Sequence, residues 1–481
     1  MRNLFAFLAL AGLLAGCAGN APEPSAAAGS QREGPATRLA DLPECAHPGA
    51  RSAADLRALL REGRFAELDA YLEARQAGFE RDPACEQDVF GPVFGFWDDE
   101  AWIGQATSRW VEASPDSFAA HMAHGLHWSN VGRHKRGASA AKHVTPERWA
   151  AMYGAYEVAV ASFEHAIRLR PKCLVAWAQL IEIAKVGGRV GDHAAVFAHA
   201  VEAVPESFRV WAAEVDALQP RWGGSYLQMR WLAQQAQEYS GANPKMHWLL
   251  GYEAADRASV FALENDYERS VEMLEAAFRF GDHTKWYEKL AYAAWQAGQY
   301  EKSVRAAEVA IERESYDRWS LVARGRSLRE LGEHERSVEA MRLLAEHFPS
   351  WRWSHFEVGL SLQPLERWDE VELAWRRAVE LDPDWYQAVQ SLCTLLIYPL
   401  DRPADAVPLA RWMTETQPQN PPVWFWYADA LYRAHPEDPD VAGLFERYLA
   451  MIDPEKEFVQ GASDRAREVL EALGRPAKIA P

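Results

Sequence analysis

Basic residues are scarce in this 481-residue chain, where 51 Lys and Arg stand against 69 Asp and Glu for a formal charge of −18. That balance excludes a nucleic-acid binder, because affinity for phosphates needs clustered cations. It also excludes electrostatic adhesion to anionic lipid. Strand-like alternation is missing throughout. So are the catalytic signatures GxSxG, HExxH, the P-loop, a GxGxxG after a strand and a CxxC pair, and no cofactor is expected. Cysteine is sparse at five, and no apolar run beyond the first 16 residues approaches a membrane span. What is present is the composition of a folded protein, 49% hydrophobic and 25% charged, with a high count of 21 Trp.

The amino terminus reads as an export signal. Arg2 supplies the positive charge, and Leu4 to Ala15 form an apolar run of twelve residues. Twelve helical residues span about 18 Å against a bilayer core of about 30 Å, too short for an anchor. The run closes in Leu14-Ala15-Gly16-Cys17, which resembles the lipobox of bacterial lipoproteins. The alternative is a plain secretory signal with a chance cysteine. The resemblance implies cleavage after residue 16 and acyl chains, palmitate among them, on Cys17. These would hold the protein to a membrane by lipid alone. Ala18 after the cysteine implies transfer to the outer membrane of a Gram-negative envelope, facing the periplasm. Loss of Arg2 makes the mature charge −19. Residues 17–45, rich in Ala, Pro, Gly and Ser, read as a lipidated flexible linker.

Beyond residue 50 apolar residues recur at helical spacing, so the fold class is all-α. The prolines set a period: Pro171 to Pro205 and Pro349 to Pro383 are both 34 residues, Pro383 to Pro418 is 35 and Pro418 to Pro454 is 36. Small and large residues fall in register with it, as in Ala159, Phe163, Ala166 and Pro171, or Trp177, Gly188, Phe197, Ala200 and Pro205. Ala291, Gly298, Tyr300 and Ala310 continue the pattern, with Gly325, Gly332, Gly359 and Ala378 further on. This period of paired helices resembles the tetratricopeptide repeat and implies a helical-hairpin solenoid. Ser303, Ser337 and Leu344 stand where alanine is usual.

The amino-terminal half is less regular. Residues 53–80 predict a helical hairpin turning at Gly63. Pro115 to Pro171 is 56 residues, one repeat and about 22 more, which predicts an inserted loop. Pro220-Arg221-Trp222-Gly223-Gly224-Ser225-Tyr226, with Pro115-Asp116-Ser117 and Arg136-Gly137, resembles the family called domain of unknown function 4034. The resemblance covers about residues 50–250 and implies no activity. The expected organisation is a signal peptide at 1–16, a linker at 17–45, an irregular helical domain at 46–250 and repeats at 251–481.

Several residues are candidate sites. Cys45 and Cys85 flank the 53–80 hairpin, whose antiparallel helices bring its ends together, and export implies an oxidising compartment; a disulfide is predicted over the alternative of two buried thiols. Cys173 and Cys393 read as core. Residues 117–146 hold no Asp or Glu but carry Arg133, Lys135, Arg136 and Lys142 with His121, His124, His127, His134 and His143. This window reads as a solvated loop or as an anion or partner site. Its His spacing matches no standard metal set, and no metal is expected. In PRWGGSY, Ser225 predicts a helix cap, and Arg221 beside free amides could hold an anion. The alternative is a packed corner filled by Trp222.

In tetratricopeptide proteins ligands lie on the concave face lined by the first helix of each unit. By position that face presents Lys285, Glu288, Tyr292, Trp295, Trp319, Arg326, Arg329, Trp353 and Phe356, residue types common in binding hot spots. Their alternative role is inter-repeat core. Residues 251–481 carry 27 basic and 41 acidic groups, so a partner there should be neutral or basic. The expected function is a membrane-anchored, non-enzymatic scaffold binding an envelope protein or peptide. The competing reading is an envelope glycan-processing hydrolase or glycan-binding protein with its site in residues 117–226. A pocket joining the 117–146 window to PRWGGSY would favour the second, and exposed aromatics on the repeat face the first.

Overall fold

The computed structural model describes residues 37–42, 45, 49–137, 141–186, 192–313, 315–452 and 460–475. Cys17, the 1–16 segment and most of the 17–45 linker lie outside them. Among the described residues there are 23 α-helices and, apart from a bridge between Thr37 and Gly281, no strand pairing. No described helix is long and apolar enough to cross a membrane. The chain divides into two units, Met1–Trp286 and Tyr287–Pro481. Segment 251–286 therefore goes with the irregular half.

In the first unit, α1 (Ala53–Glu62) and α2 (Phe65–Arg81) form a hairpin. A reciprocal Ser52/Asp55 box starts it, and Gly63 turns it with a left-handed φ of 70° that a side chain would resist. Next come α3 (Gln87–Val93), α4 (Ala101–Ala113), α5 (Phe118–Arg136) and α6 (Pro146–Leu169). They are followed by α7 (Leu174–Lys185), α8 (His193–Ala203), α9 (Phe208–Ala217), α10 (Tyr226–Gln235), α11 (Tyr252–Leu263) and α12 (Tyr267–Ala277). Cys45 and Cys85 are disulfide-bonded, their Cα atoms 5.4 Å apart, which ties the entry of the α1–α2 hairpin to its exit.

Two expectations are corrected here. The extra length before Pro171 is helix rather than an inserted loop. The Ser117 hydroxyl caps α5 by accepting from Ala120 N, Thr145 caps α6 with Pro146 in its first turn, and these helices of 19 and 24 residues pack together. The linker also ends earlier than expected. Thr37 accepts the indole N–H of Trp248 at 2.8 Å, and Leu39 N donates to Asp282 at 2.6 Å, so residues 37–42 dock on the first unit.

From α13 (Thr284–Gln296), whose first turn holds the unit division, the repeats become regular. Its hairpin partner is α14 (Tyr300–Glu312). Four more hairpins follow: α15 (Arg318–Glu330) with α16 (His334–His347), α17 (Arg352–Leu362) with α18 (Trp368–Leu381), α19 (Tyr386–Ile397) with α20 (Pro403–Thr416), and α21 (Pro421–Ala434) with α22 (Asp440–Met451). The last helix is α23 (Gln460–Ala472). First helices start at 284, 318, 352, 386 and 421, holding the 34-residue period read from the prolines. This is a tetratricopeptide-like helical repeat. An apolar core including Phe356, Trp375, Trp385, Trp424 and Phe445 runs from Leu321 to Leu470, with a smaller cluster of Val304, Leu328 and Ala340 beside it.

The departures from alanine have a physical reason. Ser303 and Ser337 are fully buried, and each hydroxyl donates at 2.8 Å to the carbonyl twelve residues earlier, Ala291 and Gly325. The small site is kept and the added polar atom is satisfied. Tryptophan is used in a repeated way as well. Six residues after a repeat-end proline, a ring N–H of Trp177, Trp211 or Trp424 donates to that proline's carbonyl at 2.8–3.0 Å. His121 and His355 occupy the same position after Pro115 and Pro349. Such bonds satisfy a carbonyl that the helix break leaves without an intrahelical donor.

Candidate functional site

Three histidines of the acid-free window, His121, His124 and His127, lie on the packed face of α5 and are engaged by the protein, while His143 is exposed beyond that helix. His121 meets the Pro115 carbonyl at 2.9 Å and stacks on His165, while His127 meets the Asp98 carbonyl at 2.7 Å. His124 accepts from the Trp128 indole at 3.1 Å through Nε2, so its Nδ1 bears the proton and donates to Ser162 at 2.8 Å. Burial holds the pKa of His124 down to about 4. His134, on the exposed side, contacts Asp99. Among the described residues no cluster of three or more His, Cys, Asp or Glu could hold a metal ion.

The cations of the window have a different setting. Arg133, Lys135 and Arg136 occupy the last turn of α5, where the helix dipole is negative. Arg133 and Arg136 line a cavity of about 530 Å³, joined by Lys185 from α7, Arg209 from α9 and Trp222 of PRWGGSY. The window and PRWGGSY therefore do meet at one pocket. Its walls carry cation–aromatic pairs: Arg133 over Trp97 at 5.0 Å, Lys185 over Trp222 at 5.5 Å and Arg209 over Phe90 at 5.1 Å. Two carboxylates also line it. Glu182 is bonded to Lys185 and Asp216 accepts from Gln219, so the pocket does not present a pair of unengaged carboxylates for glycoside chemistry.

Within PRWGGSY the corner reading needs correction. Trp222 is 40% exposed and faces Lys185 rather than filling space beside the glycines. The close approach is made by Gly224 itself, where a Cβ would lie 2.1 Å from the Leu218 carbonyl oxygen. Ser225 caps α10 by accepting from Gln228 N. Arg221 is paired with the buried Asp256 at 2.7 Å and is not among the residues lining the cavity. Lys135 is exposed and does not line the cavity either.

On the repeat face the candidates have different surroundings. Phe356 is 1% exposed and belongs to the core, packed against Trp375 and Trp385, so it is not a groove residue. Arg326 and Arg329 both converge on Glu357, a buried carboxylate one repeat later. Trp353 packs against Trp385 with ring centroids 4.5 Å apart. Lys285 is exposed but belongs to the first unit. The remaining aromatics form a chain of ring contacts, Trp295 to Tyr292 at 5.8 Å, Tyr292 to Trp319 at 6.1 Å and Trp319 to Trp351 at 5.9 Å. Trp319 is 47% exposed. Trp351 and Glu357 were not singled out from the sequence. The 31-residue step from Arg326 to Glu357, close to one repeat, is the signal that would have found the second.

Cys173 and Cys393 are buried, and desolvation pushes both thiols up to about 12, which leaves them unreactive. Asp98 and Glu100 both pair with Arg57.

Residues 52–191 match the family Domain of unknown function (DUF4034). The DUF4034 match ends before PRWGGSY, so that segment lies outside it although the resemblance was expected to reach residue 250. Arg133, Arg136 and Lys185 fall inside the DUF4034 span, while Arg209 and Trp222 fall beyond it. No curated protein matches the sequence. Among solved structures the chain is similar to MamA at 12% identity, over 41% of this chain and 98% of that one with a TM-score of 0.31. It is also similar to YrrB, titled a TPR protein with an unusual peptide-binding site, at 15% identity, over 40% and 96% with a TM-score of 0.30.

Proposed function

We propose that this protein is a lipid-anchored scaffold of the Gram-negative envelope, facing the periplasm, that holds a protein or peptide partner on the first helices of its repeats. The observation that carries the reading is Trp319, nearly half exposed, within the ring chain from Trp295 to Trp351. A large aromatic held rigidly by neighbours loses little entropy on binding and buries much apolar area, as binding hot spots do. The acidic excess of residues 251–481 directs it to a neutral or basic segment. The Leu14-Ala15-Gly16-Cys17 sequence supports the lipid anchor.

Cross-linking in intact envelopes followed by purification of the protein tests this. One partner should be recovered reproducibly with the wild type and lost with Trp319→Ala, whose thermal melt stays near that of wild type. Recovery of the bait alone, or equal recovery with Trp319→Ala, would overturn the reading. Retention of a Cys17→Ser variant in the membrane fraction after a salt wash would overturn the anchor.

A further inference from the structure

In the pocket of the first unit Arg209 donates to Gln87 at 2.7 Å and Arg136 to the Gly137 carbonyl at 3.1 Å, which leaves part of each guanidinium without an acceptor. Arg133, Arg136 and Arg209 line this pocket, and among the described residues none of these guanidiniums has a carboxylate within ion-pair distance. By contrast Arg170 is held by Glu73 and Glu80, and Arg326 by Glu357. Two further atoms on residues of the same lining, Arg136 Nε and Trp97 Nε1, are shielded from solvent and have no hydrogen-bond partner. A buried donor without an acceptor is unfavourable, and both atoms belong to side chains that line the cavity beside Arg133.

Much of the rest of the wall is aromatic or aliphatic, with Phe90, Phe94, Trp97, Trp222 and Ile183 among its residues. Phe94 and Trp222 are 42% and 40% exposed, although aromatic rings this large are usually covered. A cavity of about 530 Å³ is large enough for a small molecule and far larger than an inorganic ion needs.

We infer that this pocket binds a small organic oxyanion, a carboxylate or phosphate joined to a planar or apolar body. The charged end meets Arg133 and Arg136, and the body rests against Trp222 and Phe94. Four lining cations against two carboxylates make the pocket locally positive in a chain of net charge −18, which selects for an anion. The site is independent of partner binding on the repeats.

Calorimetry and tryptophan fluorescence on the full mature chain test it with phenyl phosphate and 3-phenylpropionate as probes. Inorganic phosphate and benzyl alcohol serve as the two half-ligands. At least one phenyl anion should bind saturably, and whichever binds more tightly identifies the oxyanion. Each half-ligand should bind at least tenfold more weakly. Arg133→Gln/Arg136→Gln should weaken the phenyl anion at least tenfold. Arg133→Gln alone, at an exposed position that folding tolerates, should weaken it severalfold. Trp319→Ala should leave it unchanged. Absence of saturable binding by either phenyl anion, equal binding of inorganic phosphate, or binding indifferent to Arg133→Gln would each overturn the proposal.

Discussion

Arg326 is held by Glu357: its Nε donates at 2.9 Å to a carboxylate that is almost wholly buried, and Arg329 reaches the other oxygen at 3.2 Å. These arginines are fastened across a repeat junction, which changes what their substitution would mean. Replacing both by Met leaves Glu357 buried and unpaired and should cost about 3–5 kcal/mol. Adding Glu357→Leu should restore most of it, because no charge is then left in the interior. Urea denaturation followed through the transition of the repeat unit gives all three values. Equal stability of the Arg variant and wild type would show that the triad contributes nothing.

The buried serines make a smaller and opposite case. Ser303 fits an alanine-sized site and bonds one carbonyl, so Ser303→Ala should change stability by no more than about 1 kcal/mol. Ser303→Val has to displace packed neighbours and should cost about 1–3 kcal/mol. The two urea midpoints, measured side by side, check the ordering.

His124 gives the first unit a sensitivity to acid. Its folded pKa of about 4 lies below the ordinary 6.5, so between those values the unfolded chain takes up a proton that the folded chain refuses. The contribution is complete above pH 6.5 and is lost as pH falls toward 4. That loss amounts to roughly 3 kcal/mol at 1.36 kcal/mol per unit. His124→Gln should flatten the dependence of melting temperature on pH over this interval. An unchanged slope would remove His124 from the account.

The disulfide closes a 40-residue span, and in the chain-entropy description it stabilises the first unit by roughly 4 kcal/mol. Cys45→Ser/Cys85→Ser should lower the melting temperature of that unit and leave the repeat unit's transition in place. Alkylation of unreduced protein under denaturing conditions should modify Cys173 and Cys393 and spare Cys45 and Cys85.

Much of this architecture is legible in the chain because its determinants are local. A turn glycine at Gly63, a cap at Ser225, and prolines at a 34-residue period act through their own backbone neighbours. The candidate sites were less legible. Phe356, Trp319 and Trp353 are aromatic residues on first helices, yet one is core, one nearly half exposed and one stacked on Trp385. Helical spacing assigns a face and not the depth of burial, which depends on the next hairpin. The window at 117–146 misled for a related reason: its extra length suggested a loop, whereas it is mostly helix, with His121, His124 and His127 packed by α4, α6 and the segment at Asp98.

By itself the sequence determined an all-α chain of hairpin repeats, an irregular first half, and an acidic balance concentrated after residue 250, since periodicity and charge are properties of the string. Only the tertiary structure decided which arginines are spent on ion pairs and which face a cavity. Arg221 and Arg133 look alike in sequence, but Asp256 reaches the first, and the second lines the pocket with Arg136, Arg209 and Trp222. Partners tens of residues apart are brought within 3 Å by packing alone, and no local pattern encodes that choice.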